Sequence, residues 1–413
     1  MFPNSTKQDE SMNRSSRITG IGYAKDMAKL FGSQTSLREA NRATILDHIH
    51  RFGAMTQIEL AESTGLSTAT ISTLVRQLVD ENRLTTQNTV RNGRRATLVT
   101  IVRQQGLGIG LHISRHDLRI CVIDAARQIL TEHNLPLAHD HKTDTTINRS
   151  LTLINETLSN LGAGAEEILG IGIAVSAPVD IRTHTIMLPG ILPGWDGADI
   201  TTPFLNAFHV PVVLENDSNC GAVCESRMGA AQGMPDFVYI NAGGGVGAGI
   251  VTQGGLWHGV TGLAGEIGHI QVDPLGSICS CGNRGCLDTV VGEDRLVSLL
   301  NVTHGNLTLE DLVETARKGD PGCRKVVADA AMRIGTVCAE LCIAIDPQVV
   351  VVGGELSLAG EDFSGPFSQA LQRLLFPYVL KPIEVAQAAH PVDGPMLGAA
   401  LLSLHEAEKV HNT

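Results

Sequence analysis

The apolar positions of this chain change period as it is read from its N-terminus. In "LREANRATILDHIHRFG", from Leu37, the residues Ile45, Ile49 and Phe52 fall on one face at helical spacing. "TQIELAESTG" predicts a short second helix that Gly65 ends, and "LSTATISTLVRQLVDENRL" predicts a third. In the third, Ser67 fits the N-cap, and Ile71, Leu74, Val75 and Leu78 form the apolar stripe. The pattern then becomes strand-like in "LTTQNTVRNGRRATLVTIV", two runs joined at Asn92–Gly93, a strong hairpin signal. Residues 1–36 are polar and Ser-rich with weak periodicity, which predicts an extension with one helix at most, around residues 22–30.

From Leu107 onward, strand and helix patterns alternate. "GLGIGLHIS" and "LRICVIDAARQIL" predict a strand pair, "INRSLTLINETLSNL" a helix, and "ILGIGIAVSAPVD" a strand running into a loop. "PVVLENDSNCGAVCESRMGAA" predicts a strand, a polar turn and a helix, and "DFVYINAGGGVGAGIVTQGGLWHG" a Gly-rich hairpin. "VVADAAMRIGTVCAELCIAIDPQVVVVGGEL" predicts a helix, a buried strand and a Gly-Gly turn. The fold class is therefore α/β, with two successive sheet units behind a small helical module.

Composition changes this picture in two places. At 413 residues and 43% apolar content the chain can bury more than one core, and with only 3% aromatic residues those cores must be aliphatic. The net charge of −12 argues, taken whole, against a nucleic-acid partner. Residues 37–103, however, carry nine Arg and six acids, an excess of three positive charges within that acidic total. Three short helices, a hairpin and local positive charge together predict a winged helix-turn-helix. Ser67, Thr68, Thr70 and Ser72, with Arg76 further along the third helix, would face a major groove; Arg94 and Arg95 at the hairpin tip would reach the neighbouring phosphates. The alternative is a small helical module for protein contacts.

The stretch "GEIGHIQVDPLGSICSCGNRGCLDT" adds candidate chemistry. His269, Cys279, Cys281 and Cys286 give H-x9-C-x-C-x4-C, four N/S donors of the kind that tetrahedral structural zinc takes. Gly282 and Gly285 flank a turn that can bring Cys286 back to the other two thiols. The competing reading is a disulfide. The first residues show no apolar secretory core and no run is long enough to span a membrane, so a reducing cytoplasm is expected, and it favours a metal. The other cysteines, in apolar or Ala-rich settings, read as small buried hydrophobes.

At this point the residues resemble a family. The winged helix, IGIAVSAPVD, LPGWDG, ENDSN, AGGGVGAG, AGEIGH and CSCGNRGCLD together resemble the ROK family (repressors, open reading frames and kinases), and within it the sugar-responsive repressors of the Mlc/NagC type. The resemblance spans nearly all of residues 37–405. It implies a winged helix-turn-helix at 37–103 and an actin-like, hexokinase-like two-lobed body. The small lobe would be residues 104–223 plus 392–413, and the large lobe, with the zinc loop, residues 224–391. It also implies that sugar is held in the cleft by Asn216, Asp217, Glu266 and His269, with Asp288 standing where the family usually has Glu. The same four His/Cys residues would be its zinc ligands. One imidazole nitrogen of His269 would bind the metal and the other would face the sugar.

The resemblance leaves two activities to separate. The kinases open with D-x-G-G-T after the first strand; this chain has His112-Ile113-Ser114-Arg115-His116, and Gly244 replaces a Thr in the second phosphate loop. Side chains at glycine positions block close backbone approach to phosphate. Asp217, the base in the kinases, is then vestigial and reads as a sugar acceptor. The favoured expectation is a cytoplasmic, non-catalytic repressor. It would bind palindromic operator DNA as a homodimer or homotetramer and respond to a sugar or sugar phosphate. The alternative is an active sugar kinase with an appended regulatory domain.

Overall fold

The computed structural model describes residues 34–52, 55–91, 94–101, 106–138, 140–187, 191–192, 194–376 and 382–411. The helix expected around residues 22–30, the hairpin tip Asn92–Gly93 and the side chains of Arg94 and Arg95 lie outside the described residues. The first helix is Gln34–Phe52, so it begins inside the segment read as a polar extension. Ile45 and Ile49 are buried in it as expected. The second helix, Gln57–Thr64, opens with a reciprocal cap: the Thr56 hydroxyl accepts from Glu59 N, and the Glu59 carboxylate accepts from Thr56 N at 2.7 Å. It ends at Gly65, whose φ of 70° is the left-handed conformation glycine adopts without strain. The third helix, Thr68–Asp80, is capped by Ser67, and Ile71, Leu74, Val75 and Leu78 are its buried residues.

The hairpin consists of β2 (Leu84–Arg91) and β3 (Arg94–Ile101), paired antiparallel. A strand that the pattern did not predict, β1 (Met55–Thr56), pairs with β3 on the other side. Two residues are too few to show an alternation. A bidentate ion pair from Arg42 to Glu81 clips the first helix to the end of the third.

The body contains two five-stranded sheets. The first uses β4 (Leu107–Ile113), β5 (Asp117–Asp124), β6 (Ile129–Pro136), β7 (Ile168–Val175) and, after a small ladder of β8 (Val179–Asp180) and β9 (Thr185–Ile186), β10 (Val212–Asn216). Its order is β10-β7-β4-β5-β6. The second uses β11 (Phe237–Ala242), β12 (Val246–Thr252), β13 (Gly255–Leu256), β14 (Val349–Gly353) and β15 (Glu384–Gln387), in the order β13-β12-β11-β14-β15. Each sheet is a three-strand antiparallel meander followed by two strands parallel to the meander's first strand or to one another. One topology is thus used twice. The apolar pattern runs on through "AARQIL" as the end of β5 and hides β6; Arg127, with φ of 63°, turns the chain there.

Two helices lie between the sheets. The terminal helix, Gly394–His411, packs on β4, β5 and β7, and the helix Asp217–Met228 packs on β11 and β12 and against the terminal helix. The glycine alternation of the first sheet serves this contact. A Cβ on Gly110 would collide with the Met396 carbonyl, and one on Gly172 with the Ala399 carbonyl. On the outer faces, Thr143–Leu161 and Trp195 cover the first sheet, and Pro321–Ile345 and Glu361–Leu374 cover the second. The polar turn expected inside "ENDSN" is absent: Asn216 ends β10 and caps the helix that starts at Asp217. The lobe boundary expected at residue 223 falls within that helix, which belongs to the seam between the sheets.

Candidate functional site

Five chain segments converge where the two meanders face each other. Asn216 is committed to backbone: its Oδ1 accepts from Ser218 N and Asn219 N at 2.8 and 3.2 Å, and its Nδ2 donates to the Ala177 carbonyl at 3.2 Å. Asp217 follows at the helix start, 8% exposed. Its Oδ2 accepts from the Ser176 hydroxyl at 2.7 Å, and its Oδ1 accepts from Ser218 N at 2.7 Å. Ser176 and His112 were not predicted as partners. His112 Nε2 is 3.3 Å from Ser176 Oγ and 3.8 Å from Asp217 Oδ2, while its buried Nδ1 has no hydrogen-bond partner. The usable signal for both was position, since each stands at the C-terminal end of an inner strand, where α/β sheets place their sites.

The opposite wall comes from the loop after β13. Glu266 precedes the single turn Ile267–His269, and its carboxyl is pushed up to about 8, by burial first and then by Asp217 and Asp288. The three acids thus share one space. Asp288 Oδ1 accepts from Val246 N at 3.0 Å, and burial also raises its carboxyl. The shorter acid at this position is therefore tied to the strand that follows the Gly243–Gly245 turn. His258, missed in the sequence, reaches from the same loop to Glu215 Oε2 at 2.7 Å, and the ion pair raises its imidazole.

Behind Glu266 stands the thiol cluster. His269, Cys279, Cys281 and Cys286 offer donor atoms that all lie within 4.8 Å of one another, and the three cysteines are free thiols. Cys281 Sγ is 3.7 Å from Cys286 Sγ, and His269 Nδ1 is 3.5 Å from Cys279 Sγ. A tetrahedral ion with Zn–S of about 2.3 Å and Zn–N of about 2.0–2.1 Å separates its ligands by about 3.8 Å (S to S) and about 3.6 Å (N to S). The residues present therefore fit such an ion. The turn is built by Cys279 N donating to the Asn283 carbonyl at 2.7 Å and Gly282 N donating to the Cys279 carbonyl at 3.0 Å. The imidazole turns Nδ1 toward Cys279 and Nε2 toward Glu266 at 4.0 Å. Burial, and then the neighbouring thiols, pushes Cys286 up to about 12. A second group, His304, Asp320 and Cys323, is also close together, but Asp320 caps the helix Pro321–Ile345, whose positive end disfavours a cation.

The turn after β4 differs from its counterpart after β11. Arg115 Nη1 is 3.4 Å from Asp294 Oδ2, and His116 Nε2 is 3.2 Å from Glu293 Oε2. Glu293 N in turn donates to the Gly244 carbonyl at 3.0 Å. The first meander's turn is thus pinned across the cleft to the residues that carry the second meander's glycine turn. Glu355, half-buried after β14, lies where a Cβ on Gly243 would be 2.5 Å from its Oε2.

In the N-terminal module, Thr68, Ser72 and Arg76 fall four residues apart along one side of the helix beside the buried stripe, with Thr68 and Arg76 exposed. The Ser67 and Thr70 hydroxyls bond each other at 2.8 Å as part of the cap. Thr73 is exposed on the same side and was not predicted.

Comparison with known proteins follows this division. The ROK family model matches residues 108–406, and the MarR family model matches residues 39–95. The chain is 25% identical to the xylose repressor of Caldicellulosiruptor bescii over 361 residues, covering 84% of this chain and 90% of that one. It is 28% identical to the DNA-binding transcriptional dual regulator NagC of Escherichia coli over 343 residues, covering 79% and 83%. Among solved structures it resembles a ROK family transcriptional regulator homologous to the E. coli MLC protein, with a TM-score of 0.72 at 21% identity, covering 91% of this chain and 98% of that one. It also resembles a ROK family glucokinase from Streptomyces griseus in complex with glucose and AMPPNP, with a TM-score of 0.66 at 27% identity, covering 73% and 100%.

Proposed function

The chain belongs to the ROK family, and from that premise we propose that it is a sugar-responsive transcriptional repressor whose kinase-like body has become a sensor. One observation carries the reading. Asp217, Glu266 and Asp288 converge on a cleft whose phosphate-side turn, Ser114–His116, presents side chains that are tied across to Glu293 and Asp294. Hydroxyl-accepting carboxylates remain, and at the turn after β4 side chains stand where a nucleotide triphosphate needs open backbone.

In this reading residues 37–103, with the helix extended back to Gln34, bind DNA. The small lobe is residues 104–223 with 392–413, the large lobe is 224–391, and the helix Asp217–Met228 is their shared seam. Asp217, Glu266, His269 and Asp288 hold the sugar, and Asn216 positions Asp217 by capping its helix. Zinc held by His269, Cys279, Cys281 and Cys286 orients His269 and supports Glu266. Ser67, Thr68, Thr70, Ser72 and Arg76 face the major groove, and Arg94 and Arg95 reach phosphates from the wing. The protein acts in the cytoplasm as a homodimer or homotetramer on palindromic half-sites. Among the described residues no helix is long and apolar enough to cross a membrane.

The test is operator affinity by gel shift with and without a panel of sugars, in wild type and in Glu266→Ala. Release by the cognate sugar is expected, a 5- to 150-fold change at the usual coupling of about 1–3 kcal/mol, and no response in the variant. Sugar binding by calorimetry with an unchanged operator affinity would rule the sensor-repressor reading out. For the DNA contacts, Arg94→Ala with Arg95→Ala should weaken binding to all sequences alike and lower the salt slope by about one per lost phosphate.

A second reading, an active sugar kinase, is favoured by one feature: Asp217 keeps a placement suited to a base, held by Ser176. A coupled ATPase assay over the same sugar panel decides it, with turnover above background supporting the kinase.

A further inference from the structure

Two residues outside the proposed sugar contacts tie the walls of the cleft together. We infer that Glu215 and His258 are positioning residues of the sugar site. Their pairing joins the strand end that leads into Asp217 to the loop that delivers Glu266, and so sets the separation of those two carboxyl groups before sugar arrives. The inference rests on the sugar-sensing reading above and deepens it.

Glu215 stands one residue before the end of β10 and is 9% exposed. Its Oε1 accepts from Asn216 N at 2.8 Å and from Asn219 Nδ2 at 2.9 Å, so one oxygen holds the first turn of the helix Asp217–Met228. Its Oε2 meets His258 Nε2 at 2.7 Å. His258 opens the loop that follows β13. The His258 carbonyl accepts from Ala264 N at 3.2 Å, which closes the loop on itself, and the Gly265 carbonyl accepts from Ala248 N of β12 at 2.8 Å, one residue before Glu266. The tip of the same loop leans on the β8 segment: Ile181 N donates to the Thr261 carbonyl at 3.4 Å, and a Cβ on Gly262 would lie 2.1 Å from the Val179 carbonyl. The loop thus belongs to the second sheet by its ends and touches the first sheet's half by its tip and by one imidazole. Glu215 spends both carboxylate oxygens on protein donors, so its part is to hold the helix start rather than to bind a ligand. Without the imidazole, Oε2 is left buried and unpaired, and a carboxylate in that state turns toward water and lets go of what it held. Walls fixed in advance bind more tightly, because the ligand does not have to order them.

The experiment is isothermal calorimetry on the full-length, metal-loaded protein with D-glucose, N-acetylglucosamine, D-xylose and the terminal phosphate ester of each. For a compound that binds the wild type, His258→Ala should weaken binding about 10- to 100-fold, the usual loss when a supporting hydrogen-bond partner is removed. His258→Gln offers Glu215 a neutral donor and should recover about half of that loss on a logarithmic scale, since a neutral hydrogen bond is about half as strong as a charged one. In a Glu215→Ala background, His258→Ala should cost less than about a further twofold, because the imidazole acts through that carboxylate. Operator binding without sugar reports that each variant is folded, and the Ala and Gln variants of His258 decide the matter by themselves if Glu215→Ala does not fold. Unchanged sugar affinity in folded His258→Ala overturns this inference and leaves the sensor reading standing. An equal loss in the Ala and Gln variants, or the full loss repeated in the Glu215→Ala background, makes His258 a direct sugar contact and overturns the positioning role. A wild type that binds none of the six compounds overturns the sensor reading and this inference together.

Discussion

The two sheets share one topology but end their first hairpins in opposite ways. After β11 the turn is Gly243-Gly244-Gly245, which has no side chains and is closed by a backbone bond. After β4 it is Ser114-Arg115-His116, closed by a backbone bond from Ser114 N to the Asp117 carbonyl and by the Ser114 hydroxyl, which bonds Asp117, and it carries two basic side chains that pair with Glu293 and Asp294. Only Gly243 is buried in the glycine turn, against the Glu355 carboxylate; Gly244 and Gly245 are exposed, and in the basic turn Ser114 and Arg115 are half-buried and His116 exposed. Turn chemistry can therefore differ within a fixed topology without a difference in enclosure.

This contrast can be broken experimentally in three places. The largest effect is expected from Cys281→Ser. Structural zinc carries on the order of 10 kcal/mol of apparent binding free energy in small domains, and even a fraction of that would loosen the loop behind the glycine turn. Elemental analysis should read about one zinc per wild-type chain and close to none in the variant, with a lowered thermal midpoint. Folded, active wild type without metal would sink the assignment. Gly243→Val should come next. Its side chain must push aside the half-buried Glu355 carboxylate, a cost of about 1 kcal/mol by urea denaturation. The smallest effect belongs to Arg115→Ala. Its ion pair with Asp294 is largely exposed and should contribute about 0–1 kcal/mol, most of it lost at high salt. If Arg115→Ala cost more than Gly243→Val, the proposed asymmetry of the two turns would be reversed.

Much of this architecture was legible in the chain. Period and caps gave the third helix with its N-cap and buried stripe, because Ser67 and the spacing of Ile71, Leu74, Val75 and Leu78 are local properties. The thiol cluster was legible because its ligands crowd into a short loop. What escaped had non-local causes. Strand β1 exists only because β3 offers it an edge. His112 and Ser176 meet Asp217 only once β4, β7 and β10 lie side by side. His258 meets Glu215 only across the two halves. Asn216, assigned by motif to the sugar, also caps the helix through its Oδ1 and reaches the Ala177 carbonyl through its Nδ2, contacts that the motif did not disclose.

That same helix has a mechanical consequence. It starts at Asp217 in the cleft, and its last turn receives a hydrogen bond from Arg127, two residues beyond Ala125, which is buried in the core of the N-terminal module. The module's first helix also rests on it. A helix of 12 residues at about 1.5 Å each is a strut roughly 18 Å long. If ligand closure tilts this strut by about 10°, its far end sweeps about 3 Å, close to the 3.4 Å separating neighbouring base pairs. A tilt too small to disturb either core would thus put a paired recognition helix out of step with its half-site by one rung of the DNA ladder.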